Sequence, residues 1–206
     1  MKRSTLISLK TLVWIGCLIP AADLVWRAVN NNLGPDPTAE IQNVTGLCAL
    51  WMLAATLAIS PLRALLPQQL NWLIKFRRLV GLFVFFYGSL HLLTYFWLYA
   101  GFNLSTIKTD ITQRRFIIAG MATYLALLPL ALTSTTWSIR KLGGKNWNRL
   151  HRLIYVAAIA AAIHYWWKVK TGVITPAPYT IVILALLLAR PVLAWRRKRK
   201  AHTVAA

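Results

Sequence analysis

Long apolar segments separated by short polar stretches run through the whole chain. Six of them approach the ~20 apolar residues that a helix needs to cross the hydrocarbon core of a bilayer. They cover residues 9–29, 41–60, 79–100, 116–136, 150–168 and 177–195. The pattern predicts an all-α fold, a bundle of six transmembrane helices that forms a single membrane domain over residues 1–206 and leaves no room for a soluble domain.

The first apolar segment follows a basic N-terminus, as in a signal peptide. Lys10 interrupts this segment, however, and no convincing small-x-small cleavage site follows it. Since a signal peptide has a short apolar core that ends at such a site, we expect residues 9–29 to be retained as the first span.

The composition supports a membrane protein. Hydrophobic residues make up 58% of the 206 residues, charged residues only 14%, and the mean hydropathy is +0.54. The net charge of +20 would suit a nucleic-acid-binding protein, but the cations sit in short clusters between apolar segments, so we expect no nucleic acid as a partner. Cys17 and Cys48 lack the spacing of a metal or redox motif and are predicted to be packing residues.

Lys and Arg residues are divided unevenly between the two sides of the predicted bundle. Eighteen fall on one side, including Lys2, Arg3 and the tail RRKRK at 196–200, and six fall on the other. The positive-inside rule therefore predicts that both termini are cytoplasmic. The outer cations are Arg27, Lys108, Arg114, Arg115, Lys168 and Lys170, and the four acids Asp23, Asp36, Glu40 and Asp110 also fall toward the outside.

Three of the four histidines lie inside or at the edge of apolar segments. His91 is in the third segment, His151 is at the start of the fifth, and His164 is well inside the fifth. Ionisable side chains are costly within a bilayer, so their presence there indicates a function. The fourth, His202, lies in the basic tail and is expected to be solvated.

His91 and His164 are predicted to lie at one depth in the outer half of the membrane. Both spans run outward, and each histidine follows a cytoplasmic arginine, Arg78 or Arg152, by 13 or 12 residues. Two such imidazoles on parallel helices would clamp one haem as axial ligands. The alternative is that each imidazole hydrogen-bonds to a hydroxyl or a carbonyl of a neighbouring helix.

His151 precedes His164 by 13 residues and is expected to share its helix, ~20 Å closer to the cytoplasm. It is a candidate ligand of a second, inner haem whose other ligand is solvent or is not identified, or a member of a flavin or quinone site. In an ideal helix the two side chains would be ~140° apart around the axis. A bend, bulge or tilt is therefore needed to align them.

Two roles are possible for each of the other polar groups near the predicted span ends. Arg77, Arg78, Arg149 and Arg152 are topology anchors or partners of propionates or phosphate. The hydroxyls of TSTT at 133–136 pack their helix or face such an anion. The chain has no glycine-rich dinucleotide motif, so no NAD(P)H site is expected.

Two segments resemble a known family. RRLVGLFVFFYGSLHLLTYFWLY (77–99) and LALTSTTWSIRKLGGKNWNRLHRLIYVAAIAAAIHYWWKVK (130–170) are similar to the MsrQ family, the haem-binding membrane subunit of the bacterial methionine-sulfoxide reductase system. LGPDPTAEIQNVTGLCAL (33–50) and SPLRAL (60–65) fit it too. The family belongs to a wider ferric-reductase-like group that places two histidines on span three, whereas this chain has only His91 there and an arginine at the other level.

The resemblance implies a function in electron transport. Electrons would pass from the quinone pool or a cytoplasmic flavin reductase, through haem b in the inner membrane, to a periplasmic molybdopterin-containing reductase that repairs methionine sulfoxide in proteins. The chain would then be an electron-transfer subunit and not the catalytic one. FMN is implied as a second cofactor, and the family's haem histidines correspond to His91, His151 and His164.

Two other functions are open at this point. A self-contained ferric or quinone-linked oxidoreductase would have the same fold and cofactor. A small proton-coupled transporter would use the histidines as a relay, but it would also be expected to carry acids within the membrane. Asp23 in the first span and Glu40 just before the second are the only acids near apolar segments, which weighs against a transporter.

Overall fold

The structure of the chain is a computed structural model. It describes the backbone of residues 3–169 and 174–205 and the side chains of residues 4–169 and 174–196. Several predicted features lie outside the described side chains. These are the basic residues Lys2, Arg3, Lys170, Arg197, Lys198, Arg199 and Lys200, together with His202.

The described residues form helices joined by short connections, and no strand occurs among them. Six helices build the bundle: α1 (Arg3–Val29), α2 (Pro37–Leu65), α4 (Arg77–Thr94), α6 (Arg115–Leu132), α8 (Leu153–Lys168) and α9 (Ala177–Ala205). Between them lie α3 (Pro67–Leu70), a 3₁₀ helix (Asn71–Lys75), a π-helix (Tyr95–Tyr99) that continues α4, α5 (Leu104–Gln113) and α7 (Thr136–Leu150). The all-α fold predicted from the apolar segments is confirmed.

The bundle helices alternate in direction. Side chains near the beginnings of α2 and α6 line one cavity together with side chains near the ends of α4 and α8. At the opposite end, Arg190 in the middle of α9 contacts Leu57 in the second half of α2 and Tyr155 early in α8. We call the first of these the cavity end, defined by Asn43, Tyr99, Arg114 and Lys168, and the second the Arg190 end.

Five helices in the described part of the chain are long and apolar enough to cross a membrane. They are Ser4–Val29, Pro37–Leu65, Arg77–Tyr99, Arg115–Leu132 and Ala177–Arg196. The helix α8 has 16 residues and is about 24 Å long at 1.5 Å per residue, which is less than the ~30 Å hydrocarbon core. Six complete spans and cytoplasmic termini therefore stay predictions.

The fourth predicted span, 116–136, is too long at its C-terminal end. The helix α6 ends at Leu132, and α7 begins at Thr136 with Thr135 as its N-cap. Hydroxyls at the end of a helix compete for its last carbonyls. Thr133 and Ser134 donate to the carbonyls of Pro129 and Leu130, each at 2.6 Å, so residues 133–135 form the turn and do not continue the span.

The prediction that His151 and His164 share one helix is wrong. His151 is the C-cap of α7, and α8 begins only at Leu153. The break coincides with a change in composition, because residues 136–152 carry five cations and 153–167 carry none. Charged side chains are kept out of the hydrocarbon, so the polar α7 and the apolar α8 separate at this point.

The core consists of aliphatic side chains from α2, α4, α6, α8 and α9. Leu57, Ala157 and Ala158 are fully buried and belong to one cluster with residues such as Val84 and Leu127. Small residues allow helices to approach closely in a membrane. The alanine-rich part of α8 is therefore the surface against which its neighbours pack.

A proline and an arginine fix the Arg190 end of the core. Pro61 lies within α2 and has no N–H, so the carbonyl of Leu57, four residues earlier, lacks its helical donor. Arg190 replaces that donor: its Nη2 lies 3.0 Å from the Leu57 oxygen. Its Nη1 also donates to the Tyr155 hydroxyl, and so one guanidinium ties together α2, α8 and α9.

We predict that Arg190→Leu lowers the free energy of unfolding by about 1–3 kcal/mol, because it leaves the buried Leu57 carbonyl without a donor. In a Pro61→Ala background the new amide N–H takes over that carbonyl, so the same substitution costs less. Thermal unfolding of the detergent-solubilised protein measures both, with Arg196→Leu on α9 as the control. An equal cost in the two backgrounds contradicts the pairing of Arg190 with the proline site.

Candidate functional site

His91 and His164 face each other inside the bundle. His91 lies near the end of α4 and His164 near the end of α8, and both are half-buried. Their ring centroids are 6.0 Å apart and the ring planes are nearly perpendicular, at 88°. The two histidines that the sequence placed at one depth thus come together in one site.

The His91 ring is held by α2. Its Nδ1 lies 3.0 Å from the backbone oxygen of Gln42 and 3.5 Å from the hydroxyl oxygen of Thr45. A carbonyl only accepts hydrogen bonds, so Nδ1 carries the proton and Nε2 keeps its lone pair. The side-chain amide of Gln42 lies 3.3 Å from that Nε2, where it donates to the lone pair.

The His164 ring is held in the same way by α6. Its Nδ1 lies 2.7 Å from the backbone oxygen of Phe116. This hydrogen bond again leaves Nε2 as the nitrogen with the free lone pair. Histidines that bind metals usually donate their other ring N–H to a carbonyl or carboxylate, which fixes the tautomer and the ring orientation.

A glycine follows each of the two accepting carbonyls by four residues. Gly46 follows Gln42 on α2, and Gly120 follows Phe116 on α6. A Cβ on Gly46 would lie 2.9 Å from His91 Cε1, and one on Gly120 would lie 2.8 Å from His164 Nδ1. Each imidazole therefore occupies the space that a side chain at the glycine would fill.

The two histidines line a cavity of about 570 Å³ at the cavity end of the bundle. This volume lies within the ~300–1,000 Å³ typical of cofactor and ligand sites. The deep wall is apolar, with residues such as Leu50, Leu53, Val84 and Leu127. The remaining lining includes the cations Arg114 and Lys168 and the aromatic residues Tyr95 and Tyr99.

The donor set suits a metal held within a larger cofactor. The described residues contain no group of three or more His, Cys, Asp or Glu that could hold a metal ion, whereas a bare ion such as zinc takes three or four protein ligands. A haem iron needs only its axial ligands from the protein. His91 and His164, whose ring centroids are 6.0 Å apart, would supply two such ligands.

His151 lies outside this cavity. Its ring stacks on Trp147 with centroids 3.7 Å apart, and its Nδ1 lies 3.1 Å from the Trp147 carbonyl oxygen. Its Nε2 is buried and has no hydrogen-bond partner among the described residues. Arg77 and the backbone carbonyl of Leu130 also lie close enough to interact with the ring. His151 is therefore a position separate from the cavity of His91 and His164.

The arginines singled out in the sequence do not line the cavity. Arg78, Arg149 and Arg152 are exposed and Arg77 is half-buried, whereas the cations of the cavity lining are Arg114 and Lys168. Cys17 and Cys48 are free thiols, and they pack with Tyr87 and Phe83 between α1, α2 and α4.

Comparison with known proteins identifies the family. Residues 28–162 match the family described as ferric reductase like transmembrane component. A relative from Herminiimonas arsenicoxydans is 39% identical over 96% of this chain and 90% of its own. Relatives from Xanthomonas campestris pv. campestris (strain B100) and Xanthomonas axonopodis pv. citri (strain 306) are 44% and 43% identical over 99% of this chain and 94% of theirs. All three are named protein-methionine-sulfoxide reductase heme-binding subunit MsrQ.

This chain belongs to the MsrQ family. The resemblance inferred from the sequence is thereby confirmed, and together with the five long apolar helices it makes the chain a multi-pass membrane protein. The ferric-reductase-like match includes His91 and His151 and ends two residues before His164.

Sequence reasoning missed the groups that orient the histidines of this MsrQ-family chain. The signal is the pair Gln42 and Gly46 on α2 and the pair Phe116 and Gly120 on α6, each with a spacing of four. Glycines inside helices are common in membrane proteins, so this spacing points to an imidazole only once the neighbouring helix is in place.

We predict that Gly46→Ala and Gly120→Ala each destabilise the protein by about 1–3 kcal/mol, since the added methyl group overlaps an imidazole and must displace it. Gly81→Ala on α4 is the matched control. Its Cβ would meet the nearest atom, Thr56 Cγ2, at 3.8 Å, and alanine there gains about 0.5–1 kcal/mol of helix propensity. Thermal unfolding measures the stability of all three variants. Equal changes at the three sites would contradict the placement of an imidazole against Gly46 and against Gly120.

Proposed function

We propose that this chain is a haem b electron-transfer subunit in which His91 and His164 bind one haem. The observation that supports this most directly is the pair of imidazoles, 6.0 Å apart, each with Nδ1 at a backbone carbonyl. Both Nε2 atoms thus keep the lone pair that a metal requires. The names of the relatives, which include heme-binding, agree with this assignment.

The residues of the chain bind and orient this cofactor and exclude water from it. Haem b, when bound, supplies reversible one-electron transfer at its iron. Gln42 and Phe116 fix the two tautomers through their carbonyls, and the apolar deep wall provides the low dielectric that helps to set the reduction potential. The side-chain amide of Gln42 lies 3.3 Å from His91 Nε2 and would have to turn away for that nitrogen to hold a haem.

The proposed direction of electron flow is outward. All four acids lie at or near the cavity end: Arg27 pairs with Asp23 and Glu40, Arg114 pairs with Asp110, and Asp36 is the N-cap of α2. The Lys and Arg residues concentrated toward the Arg190 end make that end cytoplasmic by the positive-inside rule. The proposal therefore includes six spans, counting the short α8, cytoplasmic termini, and a His91–His164 site in the periplasmic half of the inner membrane.

The proposed partners lie on opposite sides of the membrane. The quinone pool or a cytoplasmic flavin reductase supplies the electrons, and a periplasmic molybdopterin-containing reductase accepts them to reduce methionine sulfoxide in proteins. The relatives' names support the second partner in part, because they are subunits of a protein-methionine-sulfoxide reductase. The proposed docking side consists of segments 30–40, 101–115, which contains α5, and 169–177, of which residues 170–173 lie outside the described residues.

His151 is proposed as a second cofactor ligand nearer the cytoplasm. Its Nε2 is buried and has no hydrogen-bond partner in the part of the chain that the structure describes, which supports this role, and an inner haem or a flavin is the candidate occupant. FMN, implied by the family resemblance, stays a prediction without assigned contacts.

We predict that His91→Ala and His164→Ala each remove the same haem, because each histidine would supply one ligand to its iron. A pyridine haemochrome assay gives the haem count per chain, and a reduced-minus-oxidised spectrum identifies the haem that is lost. His91→Gln, which keeps an amide donor for the Gln42 carbonyl, is the variant that separates loss of the ligand from loss of folding. His202→Ala serves as the histidine control.

One outcome would contradict the proposed pairing of His91 and His164, and another would contradict electron transfer through haem. If one of the two alanine variants retains its full haem content, the two histidines do not bind the same iron. If the wild-type protein, produced with adequate haem supply, shows no Soret band, electron transfer through haem is wrong and a proton-coupled transporter becomes the better description.

We predict that His151→Ala keeps the haem of the His91–His164 site and slows its reduction from the cytoplasmic side, since electrons enter near His151. Stopped-flow reduction by a flavin reductase or a quinol measures the rate, and the spectrum in dithionite confirms that the haem is present. Trp147→Phe, which keeps an aromatic ring beneath His151, is the matched control. Unchanged reduction kinetics would make His151 a packing residue.

A further inference from the structure

The charged groups in the cavity are confined to its mouth. Apart from the two histidines, Arg114 and Lys168 are the only Lys, Arg, Asp or Glu residues among the described residues that line the cavity. Arg114 immediately precedes α6, and Lys168 is the last residue of α8. The opposite, deep wall is aliphatic, and so the cavity has one cationic edge.

Lys168 is placed to reach an anion beside the histidines. It follows His164 by four residues, one helical turn or about 6 Å along the axis, and it interacts electrostatically with both His91 and His164. Its Nζ lies 2.6 Å from the side-chain oxygen of Asn43. An ammonium has three donors, so this contact leaves donors for another acceptor.

The Nε side of the Arg114 guanidinium contacts Asp110, and its Nη side is available to another acceptor. Its Nε lies 3.1 Å from a carboxylate oxygen of Asp110. The other oxygen of that carboxylate accepts a hydrogen bond from Tyr95, at 3.0 Å. The buried Asp110 is thus satisfied within its own cluster and positions the guanidinium, whose Nη groups are the donors suited to a second carboxylate.

We propose that Lys168 and Arg114 bind the two propionate carboxylates of the haem held by His91 and His164, and so fix which edge of the macrocycle faces the mouth. The inference rests on the proposed function. Ionised carboxylates cannot be buried against Leu50, Leu53 or Val84 without a large desolvation cost. The cationic mouth is the part of the cavity lining where they gain charge-assisted hydrogen bonds.

This assignment differs from the one weighed on sequence alone. Arg77, Arg78, Arg149 and Arg152 were the candidate partners of propionates there, and none of them lines the cavity. The sequence identifies Lys168 and Arg114 only as cations on the outer side of the membrane. Their role depends on the ends of α6 and α8 meeting at one opening, which the sequence pattern does not specify.

The test combines a change in the protein with a change in the ligand. Apoprotein is titrated with haem and with haem dimethyl ester, whose propionates are neutral, and absorbance gives the two dissociation constants. For the wild type we expect the ester to bind at least about tenfold more weakly than haem. For Lys168→Gln combined with Arg114→Gln we expect haem itself to weaken to the level of the ester, and the difference between the two ligands to disappear.

Two controls separate the possible causes. Arg115→Gln removes a neighbouring exposed cation that does not line the cavity, and it should keep the wild-type preference for haem over the ester. Asn43→Ala removes the partner of Lys168 but keeps its charge, so the preference should also remain. Lys168→Arg, which retains a cation, should preserve most of it.

Each outcome has a distinct meaning. If the double variant still prefers haem over the ester by the wild-type factor, the propionates are bound elsewhere and the inference is wrong. It is also wrong if the variants change only the binding of vesicles rich in anionic lipid, because the two cations then serve phosphate headgroups. Haem that remains bound in both His91→Ala and His164→Ala refutes the proposed function itself, independently of the ester comparison.

Discussion

The hydrogen bonds from two imidazoles to backbone carbonyls determine the geometry of the site. His91 reaches across to α2 and His164 to α6, and in each case the accepting carbonyl is followed four residues later by a glycine. The absence of a side chain at that position lets the ring lie against the helix. The hydrogen bond then selects the tautomer whose lone pair points away from the carbonyl. Without these two contacts, two histidines at the same depth would have no fixed orientation.

The same local arrangement therefore occurs twice, once between α2 and α4 and once between α6 and α8. Both helix pairs are antiparallel, and each places its histidine near the end of the second helix. Bringing the pairs together forms the cavity between His91 and His164, with aliphatic residues such as Val84 and Leu127 beneath it. The fully buried alanines of α8 provide the close approach that this arrangement requires.

The depth of a residue along a helix could be predicted from the sequence. One helix boundary was predicted wrongly, and the rotation of each helix about its axis could not be predicted. Counting residues from Arg78 and Arg152 placed His91 and His164 at one depth, and the structure brings them together. The expectation of one helix from His151 to His164 failed, because the cations of α7 end the apolar segment at 152. The roles of Gly46, Gly120 and Lys168 depend on which neighbour each one faces, and hydropathy carries no such information.

The scarcity of acids explains why backbone carbonyls are the partners of so many buried donors. The chain has four acidic residues, and none lies near the Arg190 end of the core. Arg190 therefore donates to the Leu57 carbonyl, Tyr87 to that of Cys17 and Trp147 to that of Thr133, as the two histidines do to Gln42 and Phe116. A carboxylate partner would raise the basicity of a ligating imidazole strongly, and a carbonyl raises it less. The composition that keeps charge out of the membrane thus gives the two proposed ligands carbonyl partners. The potential of a haem iron held there would therefore depend more on the polarity of the cavity and on the cations at its mouth.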